Sequence, residues 1–312
     1  RKCPYVRLEP LTVDTRHAII GAFMRDNQQA LQIDQAQQFK IVTAKPSSQP
    51  MFLRTILHAL VLGVEMSDVS IDEQIDTYLA AETSANLISR IFDLCATYVE
   101  KGSASGAAAS TLGPKSVLGR VLSALYASRH GLSDDEIWGI VELATGNELS
   151  MEHREALRRI LKDQTMIVNG LRSFSHEDYA GVVYVKYIQE PAANVKIHQL
   201  MARYFGKFAP CDRKLDALPY HLEVSGSWTK LKQALVDVEM FMLWWTPKHK
   251  QEFINLWASL TAIENISQPI RKLVTGDFDE TMRCSQPSRP CLDLIEEYVR
   301  AVDEYKFVKN PS

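Results

Sequence analysis

Residues 166–174 run Met166-Ile167-Val168-Asn169-Gly170-Leu171-Arg172-Ser173-Phe174. Two short apolar stretches flank an Asn-Gly pair. Asn and Gly both tolerate the positive φ that a two-residue type I′ turn requires, so this stretch predicts a β-hairpin. Helical patterns precede it. Val117/Leu118, Val121/Leu122 and Leu125/Tyr126 recur at the spacing of one helix face. Ser133-Asp134-Asp135-Glu136 is a capping box that opens a second helix, and Met151 to Lys162 supply a third.

Three helices followed by a hairpin is the order of a winged helix. Upstream, Thr12 is placed to cap a helix that runs to about Met24. Phe52/Leu53, Ile56/Leu57 and Leu60/Val61 then share one face, as do Leu87/Ile88, Ile91/Phe92, Cys95 and Tyr98/Val99. That rhythm gives amphipathic helices with wide buried stripes. Downstream, helical patterns cover Asp178–Tyr187 and Pro191–Phe208. Beyond Pro210 the pattern is one of stacked helix pairs: Leu218–Leu222 with Trp228–Val236, then Phe253–Leu260, and later Leu292–Tyr305.

The expected fold class is therefore mainly α: a helical domain, a winged-helix domain with a small β-hairpin, then α-solenoid repeats. The expected divisions are residues 1–10, the end of a sheet with a strand at Tyr5–Leu8; 11–100, the helical domain; and 101–115, a flexible linker of small residues closed by Pro114. Residues 116–208 make the winged helix and its following helices, and 209–312 the repeats. Residues 276–290 are expected to form a long loop.

Bulk composition excludes several classes. The chain has 312 residues, 46% apolar and 23% charged, with a formal net charge of −3. Such a chain has no global attraction for nucleic acid or an anionic membrane. Five cysteines without a C-x-x-C pair favour free thiols in a reducing compartment over a disulfide frame. No apolar run approaches the roughly 18 residues that span a bilayer; Met240–Trp245 is apolar but too short. The chain opens at Arg1 without a signal-like segment and is expected to be a piece of a longer polypeptide. A cytoplasmic location is the corresponding expectation.

Catalytic motifs are missing. The phosphate loop G-x-x-x-x-G-K-[ST] does not occur. The only Gly-Lys pair, Gly206-Lys207, is followed by Phe208. Without a nest of backbone N–H groups and its lysine, the chain cannot grip nucleotide phosphates in that way. Neither G-x-S-x-G nor H-E-x-x-H occurs, and the histidines lack metal-ligand spacing.

Some segments resemble a known family. Leu8-Glu9-Pro10-Leu11-Thr12, followed by Arg16, Ile19/Ile20 and Phe23, resembles the exit from a NACHT nucleotide-binding sheet. Ser48-Gln49-Pro50-Met51-Phe52-Leu53 through Leu60 is similar to the "NPLFLxxxLEEL" helix of the NACHT helical domain, and Ile75–Leu79 to its "I-x-x-YL" step. Leu218–Leu222 with Trp228 and Leu231 is similar to the first helical repeat of nephrocystin-like and NACHT–WD-repeat proteins. The module order over residues 5–260 is that of STAND ATPases.

This resemblance implies two nucleotide contacts. Pro50 matches the proline of the GxP motif that packs on adenine, although Ser48 replaces the glycine. His176 matches the histidine that reaches the β-phosphate of ADP, with Ser175-His176-Glu177 in place of Met-His-Asp. Both positions also have a plain structural explanation. Proline suits the first turn of a helix, and His176 suits the start of the helix after the hairpin.

The function expected from the resemblance is a regulatory and scaffolding segment of a nucleotide-dependent switch. It would bind protein partners through its repeats. This chain lacks the Walker A and Walker B motifs and is not expected to be an enzyme by itself. ATP or ADP would belong to the full-length protein, with no cofactor held by this segment alone. The alternative is a purely structural scaffold of a cilium or flagellum. A DNA-binding winged helix is the third possibility. It is disfavoured because Arg154, Arg158, Arg159 and Lys162 are balanced by Glu152, Glu155 and Asp163, while the wing offers only Arg172.

Overall fold

The computed structural model describes residues 9–27, 29–101, 116–260 and 262. The expected strand at Tyr5–Leu8, the linker beyond Lys101, the 276–290 loop and the helix at Leu292–Tyr305 lie outside the described residues, as do Cys3, Cys284 and Cys291. The described residues fall into two compact units that divide between Ile197 and His198.

The first unit opens with α1 (Val13–Asp26), α2 (Gln35–Thr43), α3 (Pro50–Met66), α4 (Ile71–Leu79) and α5 (Ser84–Lys101). Side-chain caps fix where they start. Thr12, Asp34 and Ser70 each accept a backbone N–H of the first turn of α1, α2 and α4. Such a cap contributes about 1 kcal/mol. The α3 helix is the hub, packing on α4 and α5. Its Phe52, Leu53, Ile56, Leu57 and Leu60 are buried, as are Leu87, Ile88, Ile91, Phe92 and Cys95 of α5. Burying each large apolar side chain contributes roughly 1.5–3 kcal/mol. Burial also pushes the Cys95 thiol up to about 12, so this cysteine is packing material and not a nucleophile.

Next come α6 (Val117–Ala127), α7 (Asp134–Thr145) and α8 (Met151–Gln164), then β1 (Thr165–Val168) and β2 (Leu171–Phe174). The Ser133 capping box is present, with Glu136 reaching back to the Ser133 N–H at 2.9 Å. The hairpin pairs Val168 with Leu171 and Ile167 with Arg172. Its turn residues Asn169 and Gly170 have φ of 53° and 78°, the type I′ signature. A third strand-like contact, not foreseen from sequence, joins Leu132 to Arg172. Each N–H donates to the other's carbonyl, at 3.0 and 2.7 Å.

The Arg172 side chain departs from expectation. Rather than offering a cation on the wing, it is buried. It bonds Asp134 at 2.9 and 3.0 Å and donates to Thr165 Oγ1 at 2.9 Å. A guanidinium removed from water needs these partners.

The α9 helix (Glu177–Val183) continues into a wide turn over Tyr184–Ile188, where the Gln189 N–H reaches the Tyr184 carbonyl five residues back at 2.8 Å. The α10 helix covers Pro191–Phe205, and the division between the two units falls within it.

In the second unit α11 (Asp212–Val224), α12 (Trp228–Leu235) and α13 (Val238–Trp244) are followed by α14 over residues 250–260. The α11 helix packs on α12 and α13, a helical-repeat arrangement. Trp244, Phe241 and Phe253 are fully buried together, ring centroids 5.4–6.0 Å apart for the Phe253 pairs. The chain is thus mainly α, with a helical domain, a winged helix bearing one small hairpin, and helix pairs. No helix among the described residues is long and apolar enough to cross a membrane.

Gly131 tests the wing's third contact. It has φ 88°, and a Cβ there would sit 2.6 Å from the Arg172 carbonyl. Gly170 has φ 78° but open space around it. In urea denaturation Gly131→Ala is expected to cost more than ~3 kcal/mol, and Gly170→Ala only ~1 kcal/mol. Equal costs would refute the backbone clash.

Candidate functional site

Pro50 is the first residue of α3, behind Gln49, which makes no side-chain cap. Proline fits because the N–H it lacks would have no helical partner. The short 3-10 turn Lys45–Ser48 that delivers it is held by Arg16 of α1. The guanidinium donates to the carbonyls of Leu11 at 3.1 Å, Ala44 at 3.2 Å, and Val42. The Leu11 N–H closes the loop on the Ser48 carbonyl at 2.8 Å. Pro50 itself is exposed.

His176 is the N-cap of α9. Its Nδ1 accepts the Asp178 N–H at 3.2 Å, and the ring is exposed. Both residues thus occupy the structural positions anticipated for them.

The structure also brings their neighbours together. Arg54, one turn after Pro50, and Ser175, one residue before His176, both approach a single atom, the Asp163 carbonyl oxygen, at 3.5 Å each. Ser175 Oγ also donates to the Gln164 carbonyl at 3.1 Å. The Asp163 carboxylate faces His58 Nδ1 of α3 at 3.2 Å. The ring of Phe23 meets that imidazole edge-on at 5.1 Å. Burial works against ionising Asp163. The hydrogen bond and charge from His58, with Lys162 and Arg54, outweigh it and hold the carboxyl below its usual range.

Beneath this junction lies a cavity of about 10 Å³, lined in part by Thr55, His58, Asp163, Gln164 and Tyr179. It has room for one water at most, not a nucleotide. Gln164 Oε1 is buried without a protein partner beside it. Among the described residues no group of three or more His, Cys, Asp or Glu side chains is arranged to hold a metal.

Sequence reading missed this junction because its members are far apart in the chain and no motif links Asp163 to the helix of Arg54 and His58 or to Ser175. It also missed a second histidine contact, in the other unit. His198 Nδ1 and His221 Nδ1 lie 2.9 Å apart, both buried. One ring must donate and the other accept, which fixes opposite tautomers. Phe205 stacks on His221 at 6.0 Å with planes 7° apart. Burial drives His198 down to about 4. His221 is driven to about 3 by burial, then by the charges of His198 and Arg213.

Comparison with known proteins is sparse. No family model matches the chain. The chain is similar to a TPR repeat-containing protein of Dictyostelium discoideum, 24% identical over 277 residues. That match covers 88% of this chain and 15% of the relative, so the chain spans a small part of its relative's length. No solved structure matches.

Two measurements follow from this geometry. Asp163→Ala leaves His58 without its carboxylate and is expected to cost ~1 kcal/mol, the pair being partly solvated. Hydrogen exchange in α3 and α8 should rise in that variant, and unchanged protection would show that the pair holds nothing. The histidine pair sets a pH dependence. Both rings titrate below their ordinary 6.5 when folded, so their contribution is complete above pH 6.5 and falls as pH drops toward 4 and 3. Urea stability should lose on the order of 2 kcal/mol per histidine between pH 6.5 and 5. His198→Phe/His221→Phe should flatten that slope; a slope that persists would place its origin elsewhere.

Proposed function

We propose that this chain is the regulatory and scaffolding segment of a STAND-type switch protein whose helix pairs bind protein partners. The observation that supports a switch is the convergence at Asp163. The helix that Pro50 starts and the residue beside His176 meet at one carbonyl oxygen, so the helical domain and the wing are joined next to both nucleotide-contact candidates. The polar contacts there, a few long hydrogen bonds and the partly solvated contact of His58 with Asp163, are individually weak, and a switch would also have to exchange the packing of α5 on α9. With ADP bound in the whole protein, Pro50 would pack on the base and His176 would donate to the β-phosphate. On exchange the wing would leave α3 and the repeats would reorient.

The helix pairs after α10 support the scaffold part of this reading. Stacked helix pairs present extended surfaces suited to protein segments. A TPR repeat-containing relative agrees with that role.

A second reading has a specific observation behind it. His176 Nδ1 already caps α9, and Pro50 already serves as a helix starter. Both residues therefore have structural roles that need no nucleotide, as a permanent scaffold would require.

The two readings separate in the full-length protein. A fluorescent ADP analogue should bind, and His176→Ala should speed its release by about tenfold, the loss of one hydrogen bond to a charged group. Release at the wild-type rate would remove His176 as a sensor. Failure of the full-length protein to bind the analogue at all would favour the permanent scaffold.

A further inference from the structure

The wing has one uncovered side. On β2, the Arg172 N–H and carbonyl both bond Leu132, away from β1. In an antiparallel ladder both backbone groups of a residue face the same way. Ile167, the register partner of Arg172, therefore turns its own N–H and carbonyl outward from the hairpin. Among the described residues no strand pairs with that outer edge.

The side chains along this edge are apolar and open. Met166, Ile167 and Val168 are 44%, 59% and 55% exposed. Edge strands normally carry Lys, Pro or a bulge that discourages pairing, and Thr165–Val168 contains no Lys or Pro. On the face shared by Thr165 and Ile167 lies an open groove of about 570 Å³, whose lining includes Arg158, Arg159, Lys162 and one acid, Glu155, of α8. Lys162 makes no close ion pair among the described residues, its charge acting at longer range on Asp163, whereas Arg158 and Arg159 are engaged by Asp134, Glu155 and Glu65.

We propose that the outer edge of β1 receives an extended segment of a partner protein, rich in alternating apolar and acidic residues, as an added strand. The Ile167 N–H and carbonyl would supply two backbone hydrogen bonds. Apolar side chains of the segment would pack on Met166 and Val168. Acidic ones, on the opposite face, would meet Lys162 first and then the two arginines.

Charge complementarity selects this occupant over two others. A second copy pairing β1 to β1 would bring the same cations together, and Thr165–Val168 offers no acid to meet them. Duplex DNA needs several cations free of nearby acids, whereas Arg154, Arg158 and Arg159 are paired with Glu142, Asp134 and Glu65. The wing's single arginine is buried against Asp134 and Thr165, and the exposed residues 166–170 carry no charge to neutralise phosphate. This surface is separate from the helix pairs and does not rest on nucleotide switching.

The test uses this 312-residue chain and a fluorescein-labelled peptide, Glu-Val-Asp-Ile-Glu-Val-Asp, read by anisotropy. Ile167→Pro removes the outward N–H and is tolerated on an edge, where that N–H faces solvent. It should weaken binding about tenfold, the loss of one strand hydrogen bond and its alignment. Lys162→Glu should weaken it about fivefold, more at low salt than high. A peptide with Lys in place of every acid should not bind. This charge comparison stands even if Ile167→Pro destabilises the wing. Absence of binding by the acidic peptide would overturn the proposal. So would equal affinity for both peptides, displacement by a 20-base-pair duplex, or a dimer in sedimentation that Ile167→Pro abolishes.

Discussion

The Arg172 guanidinium holds the winged-helix module together. It is buried, bonded to Asp134 at the start of α7 and to Thr165 at the start of β1, while its own backbone is laced to Leu132. One residue thus ties a helix start, both hairpin strands and the segment before α7. A buried charge of this kind adds little net stability compared with a well-packed apolar side chain, but breaking it is costly, about 3–5 kcal/mol, because the remaining ion is stranded. Its effect is geometric: it fixes which way β2 faces, and so which edge of β1 is left open.

The same constraint positions the junction with the helical domain. β1 begins directly after Gln164, and β2 ends directly before Ser175. Fixing the hairpin therefore fixes the end of α8 and the start of α9 together, and these are the two places that meet α3 at Asp163. The polar contacts there are few and individually weak. The contact of His58 with Asp163 is partly solvated, and Arg54 and Ser175 make long hydrogen bonds. Apolar packing also crosses from the helical domain to the winged helix, where α5 lies against α6, α8 and α9 and Phe92 meets Tyr179. The two modules thus belong to one compact unit, joined by packing through α5 as well as by the polar contacts at Asp163.

Local signals in the sequence were faithful. The Ser133 box, the Thr12 cap and the Asn169-Gly170 turn are each decided by a few adjacent residues, so each was legible. The positions of Pro50 and His176, at a helix start and just after the hairpin, followed from the same local patterns. What could not be read was any pairing across the chain. Arg172 looked like a surface cation because Asp134 already had a role in opening α7, and nothing in the local pattern shows that a first-turn carboxylate also serves a guanidinium from the wing. Leu132 pairs through its backbone, which leaves no trace in side-chain periodicity. His58 and Asp163, and His198 with His221, meet only after the helices pack, and each lies on a helix whose pattern explains it without the partner.

An apolar strand with an unclaimed backbone also carries a hazard that has nothing to do with recognition. Newly made chains crowd together on polysomes, and there a bare edge can template the stacking of unrelated strands before any proper occupant arrives. Met166-Ile167-Val168 is short, and the hairpin twists, which limits how far such stacking can spread.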